Sequence, residues 1–360
     1  MPSYSDYLAF QRIQTKLDVD PNVAIRKFRK PSAYGGYDAT YQLQRLPPNV
    51  FIPGRLVPRE PIIPPYVPSW VERSASGTRN WESITSSSDG TKLAACATNG
   101  YIYTSSDSGA TWTQQTGSGT RFWRSIASSA DGTKLAACVN NGYIYTSSNS
   151  GITWNQQTSA GSRSWYSIAS SADGTKLAAC VYNYGNIYTS SDSGATWNLK
   201  SAPSLNWFSI TSSHDGTKLA ACTSGENIWT STDSGETWIE RTGSGSREWR
   251  SIASSADGTR LIATNIYGGG NIYISSDSGV TWASNISNAN KDWYASTISA
   301  DGTKLAACVN SGYIYTSTDS GATWIQQITP GSKNWLSITS SADGTKLALG
   351  GLNTTIWTYS

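Results

Sequence analysis

Six times in this chain a basic residue stands two places before a tryptophan: Arg79/Trp81, Arg121/Trp123, Arg163/Trp165, Arg247/Trp249, Lys291/Trp293 and Lys333/Trp335. Residues two apart on a strand share a face, so each cation can lie along its indole. Such a pair suits an anion or a sugar ring, and several on one surface would act by multivalency. The competing role is packing, in which the basic stem covers the tryptophan and finishes a junction between repeated units. Packing is the simpler reading, because copying spreads a residue whether or not it binds. Leu205, two places before Trp207, breaks the series.

Hydrolysis of a glycoside needs only two carboxylates. Glu248 and Asp292 are the best acidic pair, each just before its tryptophan, where other units carry Asn80, Phe122, Ser164, Asn206 and Asn334. Glu226 and Glu240 are lesser candidates. An enzyme needs asymmetry at one spot, however, and these units are nearly uniform. His214 is the only histidine, so a Ser-His-Asp or Cys-His arrangement would have to use it. It replaces the Ala or Ser that precedes other Asp-Gly turns and reads as a surface substitution. No histidine-rich metal site can form, no cofactor is implied, and the expectation is a protein without catalytic residues.

The elements that carry these residues repeat. Trp81, Trp123, Trp165, Trp207, Trp249, Trp293 and Trp335 follow one another at steps of 42 or 44 residues, each with an Asp-Gly pair eight places on. A period of roughly 40–45 residues with four strand signals is the mark of a propeller blade. In the second unit the strands are expected at 123–129, 133–139, 143–148 and 152–158. Asp131-Gly132, Asn141-Gly142 and Asn149-Ser150-Gly151 supply the turns between them.

The seventh unit stops at Ser360, before its turn and fourth strand. Trp70 aligns with Trp112, so residues 68–74 read as a fourth strand without a blade of its own. Placed beside 356–360, it completes the last unit and removes an exposed sheet edge. The expected fold is all-β: a seven-bladed propeller of four-stranded antiparallel blades over 68–360, closed by its N-terminal strand.

Cys96, Cys138, Cys180, Cys222 and Cys308 each fall seven residues after the Asp of an Asp-Gly turn. Equivalent places on adjacent sheets lie about 10 Å apart, beyond the roughly 7 Å that a disulfide spans. Free buried thiols are expected, and these suit a reducing compartment or an assembled particle. The first residues lack a basic start and apolar run, so no secretory signal is read. No stretch is apolar enough for a membrane span. The net charge of +3 gives no argument for a nucleic-acid partner.

The segments Ser105–Trp112, Ser190–Trp197, Ser231–Trp238, Ser275–Trp282 and Ser317–Trp324 read S-[ST]-D-S-G-x-T-W, and the second unit carries Asn149 for the Asp. This pattern resembles the Asp-box, or BNR, repeat of sialidase-like propellers, some glycoside hydrolases, sortilin-type receptors and photosystem assembly factors. The resemblance implies a propeller over 68–360 but spans enzymes, receptors and scaffolds alike, so it assigns no activity. Its sialidases use an arginine cluster with a Tyr/Glu pair at places that break the repeat.

Residues 1–67 differ in kind, with ten of the 13 prolines, no tryptophan, and nine basic against five acidic side chains. Residues 5–17 are expected to form a short helix with Tyr7, Phe10, Ile13 and Leu17 toward one side. Residues 47–68 are too rich in proline for helix or central strand and should run extended. Phe51, Ile52, Ile62 and Ile63 need burial there, which suggests an anchoring arm that docks on a protein partner. The whole reads as a non-catalytic structural or interaction protein displayed on a larger assembly, such as a virus particle. A lectin-like binder of glycans or anions through the Arg/Lys-x-Trp face comes second, and a glycoside hydrolase third.

Overall fold

A computed structural model describes residues 23–31, 37–45 and 68–360, except 268 and 285–289. The chain forms two units, Met1–Tyr66 and Val67–Ser360. In the first, Val23–Pro31 pairs antiparallel with Tyr37–Arg45, from Val23 opposite Arg45 to Pro31 opposite Tyr37. This ladder lies between the expected helix over 5–17 and the expected extended stretch over 47–68. The expected helix over 5–17 and the extended 47–67 stretch lie outside the described residues. So do Tyr7, Phe10, Ile13, Leu17, Phe51, Ile52, Ile62 and Ile63.

The second unit is seven four-stranded antiparallel blades. Blade one runs Trp81–Ser86, Leu93–Gly100, Ile102–Ser105 and Thr113–Gln115, each strand paired with the one before. In blade two the strands are Arg121–Ser128, Leu135–Gly142, Ile144–Ser147 and Asn155–Gln157. The fourth is shorter than the expected 152–158, because residues through Trp154 belong to the preceding turn. Each blade's first strand packs against the first strand of the next, and the seventh meets the first again. These strands therefore ring the axis, and the fourth strands lie outermost. No helix among the described residues is long and apolar enough to cross a membrane.

The core lies between blades rather than within one. Ala94, Cys96 and Ile102 of blade one pack against Trp123, Ile126, Leu135, Ala137 and Val139 of blade two. Small residues on the second strand leave room for the neighbour's tryptophan, and all seven first-strand indoles are 0–1% exposed. Cys96, Cys138, Cys180, Cys222 and Cys308 are free thiols, fully buried. Burial pushes Cys222 and Cys308 up to about 12, so they act as small apolar fillers.

Blade seven is Trp335–Ser340, Leu347–Gly351, Ile356–Tyr359 and then Trp70–Arg73, with Trp70 opposite Tyr359 and Arg73 opposite Ile356. The expected strand exchange thus closes the ring. Two further seams run around it. Ser88 N–H donates to Ala130 C=O at 2.7 Å, and the pattern continues through Ala172, His214, Ala256, Ala300 and Ala342, whose N–H returns to Ser88 C=O at 2.7 Å. His214 contributes backbone to this collar while remaining exposed. Nearer the middle of the first strands, Ser83, Ser125, Ser167 and Ser209 each accept the N–H of an isoleucine in the next blade, at 3.2–3.3 Å.

Candidate functional site at the channel mouth

The hairpin between the second and third strands of each blade meets the connection into the next blade. Thr98 and Gly100 pair with Phe122 and Arg121, Asn140 and Gly142 with Ser164 and Arg163, and Ser224 with Glu248. Gly185 pairs with Leu205, Gly312 with Lys333, and Thr354 with Arg79. Together they build one mouth of the central channel. The collar through Ser88 surrounds the opposite end.

The repeated cations stand at this mouth, but their main aromatic partner is not the one two places on. Arg79, Arg121, Arg163 and Arg247 lie 4.4–4.7 Å from the ring centres of Tyr103, Tyr145, Tyr188 and Tyr273 on the third strand. Their distance to Trp81, Trp123 and Trp249 is 5.6–5.8 Å. Lys291 sits 5.5 Å from Tyr315, and Lys333 lies between Trp335 at 6.0 Å and Trp357 at 5.4 Å. The tryptophans beneath, from Trp81 and Trp165 to Trp293 and Trp335, are buried and present no face to solvent. The indole N–H groups of Trp123, Trp165, Trp249 and Trp335 bond backbone carbonyls of the preceding connection, as Trp165 does to Gly161 C=O at 3.2 Å. Arg163 donates from Nε to Ala160 C=O at 3.1 Å, and Arg79 to Ser76 C=O, closing the short 3-10 turns Thr158–Ala160 and Ser74–Ser76. Blade four carries Leu205 with Trp229 in place of the tyrosine, an apolar stem over an apolar ring.

Packing of this kind makes a prediction. Replacing Arg121, Arg163 and Arg247 together by alanine should lower Tm, because each change uncovers an aromatic pair and removes a cation–π contact of about 0.5–1 kcal/mol. A glycan-array or heparin-binding assay on the same variant should show no change. Loss of such binding with Tm intact would make the ring a ligand site instead.

The acidic candidates are dispersed into turns. Glu248 is exposed and accepts a hydrogen bond from the Ser224 hydroxyl. Asp292 is exposed and accepts Tyr267 N–H at 3.3 Å, and Glu240 accepts Asn227 Nδ2 at 2.8 Å. Glu226 is exposed on its hairpin. No described hydrogen bond or shared partner joins Glu248 to Asp292.

A different set of residues converges on the channel. In every blade the first strand is bulged between its tryptophan and the second residue after it, as between Trp81 and Ser83. A bulge leaves one residue out of the ladder and re-aims its side chain. The bulged residues are Glu82, Arg124, Tyr166, Phe208, Arg250, Tyr294 and Leu336, and no two neighbours are the same residue. Arg124 pairs with Glu82 and with the Tyr166 hydroxyl. Arg250 reaches from blade five to the hydroxyls of Tyr166 and Tyr294. Glu82 also accepts the Thr98 hydroxyl at 3.0 Å. Phe208 stands 4.8 Å from Tyr166 and 5.3 Å from Tyr182, edge-on to both. Burial holds the Tyr294 phenol above its ordinary value, so it stays protonated.

The repeat period alone does not single out these arginine, tyrosine and glutamate side chains. A signal is present, since the x of W-x-S takes five residue types in seven copies while the places around it are nearly constant. Periodicity assigns that residue to the strand and cannot show that it is expelled from the ladder into the channel.

No known family's sequence profile matches the chain, and no curated protein matches it. Solved structures do. YCF48 from Cyanidioschyzon merolae superposes with a TM-score of 0.63 at 16% identity, over 81% of this chain and 98% of that one. YCF48 bound to D1 peptide gives 0.62 at 16% identity, over 81% and 96%. The GH74 xyloglucanase of Xanthomonas campestris gives 0.65 at 14% identity, and this chain spans 53% of its length. At these identities the likeness shows the propeller fold alone.

Proposed function

We propose that this chain is a non-catalytic interaction module that docks a protein partner on the channel-mouth face, with residues 1–67 as its tether to a larger assembly. The observation that carries the reading is the concentration of unlike residues at that mouth, on a ring otherwise made of copies. A uniform ring offers seven equal weak sites, whereas Glu82, Arg124, Tyr166, Phe208 and Arg250 define one orientation. Phe122, Tyr182, Tyr184 and Tyr267 stand 38–72% exposed on the surrounding connection and hairpins, an aromatic surface suited to an interface. YCF48, a propeller of similar shape, is known with D1 peptide bound.

Catalysis is the less fitting use of the same residues. The bulge ring holds one carboxylate, Glu82, already paired with Arg124, whereas glycoside hydrolysis needs two. A Tyr/Glu nucleophile pair needs the carboxylate on the phenol, and here Arg124 stands between Glu82 and Tyr166.

Site-specific photo-crosslinking tests the docking face. A benzophenone side chain at Tyr184 should give an adduct with the partner, and one at Ser193, on the opposite end of blade three, should not. Adducts from position 193 alone would refute the assignment of the face. Removing residues 1–60 separates the two roles: assembly is lost, while the adduct from Tyr184 with the isolated partner is kept.

A further inference from the structure

The channel ring is rich in donors and short of acceptors. Arg124 and Arg250 bring two permanent positive charges, and Glu82 brings the ring's one negative charge. Glu82 is already engaged by Arg124 and by Thr98. Arg250 is only 8% exposed, and its two hydrogen-bond partners are phenol oxygens, with no carboxylate at ion-pair distance among the described residues. A guanidinium has five N–H donors, so most of this one's capacity is unused. Tyr166 accepts from both arginines, and Tyr294 accepts from Arg250. A phenol oxygen that accepts still has its own proton to donate, and neither hydroxyl has a described acceptor. Two phenol protons and the spare N–H groups of a buried cation therefore lie in one cluster that supplies them no further described acceptor.

We infer that this ring is an unfinished coordination shell for a carboxylate, and that the partner docked at the mouth completes it with an aspartate or glutamate side chain. The inference rests on the docking proposal above and names the chemistry of its contact. A carboxylate matches the guanidinium fork, takes charge-assisted hydrogen bonds from it, and accepts the phenol protons as well. It also cancels the single excess positive charge, which burial makes costly to leave unpaired. A side chain on a peptide fits better than a free anion. Tyr182, Phe208 and Tyr166 form an aromatic wall beside the cluster, 4.8–5.3 Å between ring centres, against which an alkyl stem can pack.

The test is binding of the capped peptide acetyl-Gly-Gly-Glu-Gly-Gly-amide to the full chain at low salt, against its glutamine twin and against free glutarate. The glutamate peptide should bind and weaken as salt is raised, and the glutamine twin should bind roughly tenfold less tightly. Arg250→Gln should cost the glutamate peptide a similar factor. Glu82→Gln should act in the opposite direction, tightening binding several-fold, because it removes the internal competitor for Arg124. A purely structural role predicts no such opposition, and Glu82→Gln keeps the test decisive should Arg250→Gln fail to fold. Equal binding of the two peptides, or weaker binding to Glu82→Gln, overturns the inference. Glutarate binding as tightly as the peptide overturns the assignment to a partner's side chain. A Tyr184 adduct that persists in either case leaves the docking reading standing.

Discussion

Replacing Trp70 by alanine is expected to cost about 3–5 kcal/mol, the range for truncating a buried tryptophan, and to open the ring at one seam. Trp70 is 7% exposed, stands 5.3 Å from Tyr359 between ring centres, and donates from Nε1 to Gln327 Oε1 at 3.2 Å. The strand it begins closes a very long loop, since Arg73 Nε bonds Thr358 Oγ1 across 285 residues. Closing a loop of that length costs about 5 kcal/mol by logarithmic scaling, the same order as this side chain contributes. The four-residue ladder, the Arg73–Thr358 bond, the Ser69 N–H bond to Ser360 C=O at 3.1 Å and the Glu72–Thr355 contact at 2.7 Å are among the contacts that remain. Trp112 holds the corresponding place in blade one but closes no ring and is half-buried. Urea unfolding should therefore show a smaller loss for Trp112→Ala than for Trp70→Ala. Hydrogen exchange should show protection lost first over Ile356–Tyr359 in the Trp70 variant. Equal losses with the same exchange pattern would mean that the closing strand bears no special share.

That seam was legible in the sequence because it depends on alignment alone: Trp70 in register with Trp112, and a last unit ending one strand short. Blade number, strand order and buried thiols follow from the same period and from its alternation. What escaped the sequence depends on contacts that periodicity does not encode. The arginine stems were assigned to the indoles two places on, yet they lie nearer to Tyr103, Tyr145, Tyr188 and Tyr273, because the third strand runs beside the connection only in the folded blade. The side chains of Glu82, Arg124, Tyr166 and Arg250 meet because of a backbone bulge, and a bulge in a W-x-S-I run has no residue signature when x is free to vary. The ladder over Val23–Pro31 and Tyr37–Arg45 is hidden by the proline content of residues 1–67 as a whole, although VAIRKFRKP and YDATYQLQR hold one proline between them.

The uniform and the variable parts of the ring divide stability from recognition along the channel axis. At the collar end, seven backbone hydrogen bonds close a circle that is indifferent to side chains, so it tolerates His214 among alanines. At the mouth end, the bulge frees one side chain per blade from packing duty. Copying can thus preserve the ladder, the indoles and the turns while leaving seven places to be chosen separately. This is why the non-repeating chemistry of the first strands is confined to the mouth.

Acid should unfold this propeller through its turns. In each Asp-Gly turn the carboxylate is held by hydroxyl and backbone donors, as Asp89 is by Ser87 Oγ at 2.6 Å and Thr91 N–H at 2.9 Å. In the turns before the fourth strands, Asp107 accepts Thr111 Oγ1 at 2.6 Å and Thr111 N–H at 2.8 Å. These hydrogen bonds lower the carboxyl to about 2 at Asp89, Asp107, Asp131, Asp233, Asp257, Asp301, Asp319 and Asp343, and lower Asp173, Asp192, Asp215 and Asp277 as well. A folded value below the unfolded one near 3.8 means that the stabilisation is complete above that pH and is lost as pH falls through about 2. Eleven of these groups are solvent-exposed and Asp277 is half-buried, so each contributes little alone, but twelve titrate together and Tm should fall steeply between pH 4 and 2. Blade two supplies the control. Asn149 accepts Thr153 N–H at 2.9 Å in the same turn without a charge, so asparagine keeps the geometry. Replacing Asp107, Asp192, Asp233, Asp277 and Asp319 together by asparagine should lower Tm at neutral pH and flatten its acid dependence. The two curves should then approach one another near pH 2. Curves that stay parallel down to that pH would show that these carboxylates take no part in acid unfolding.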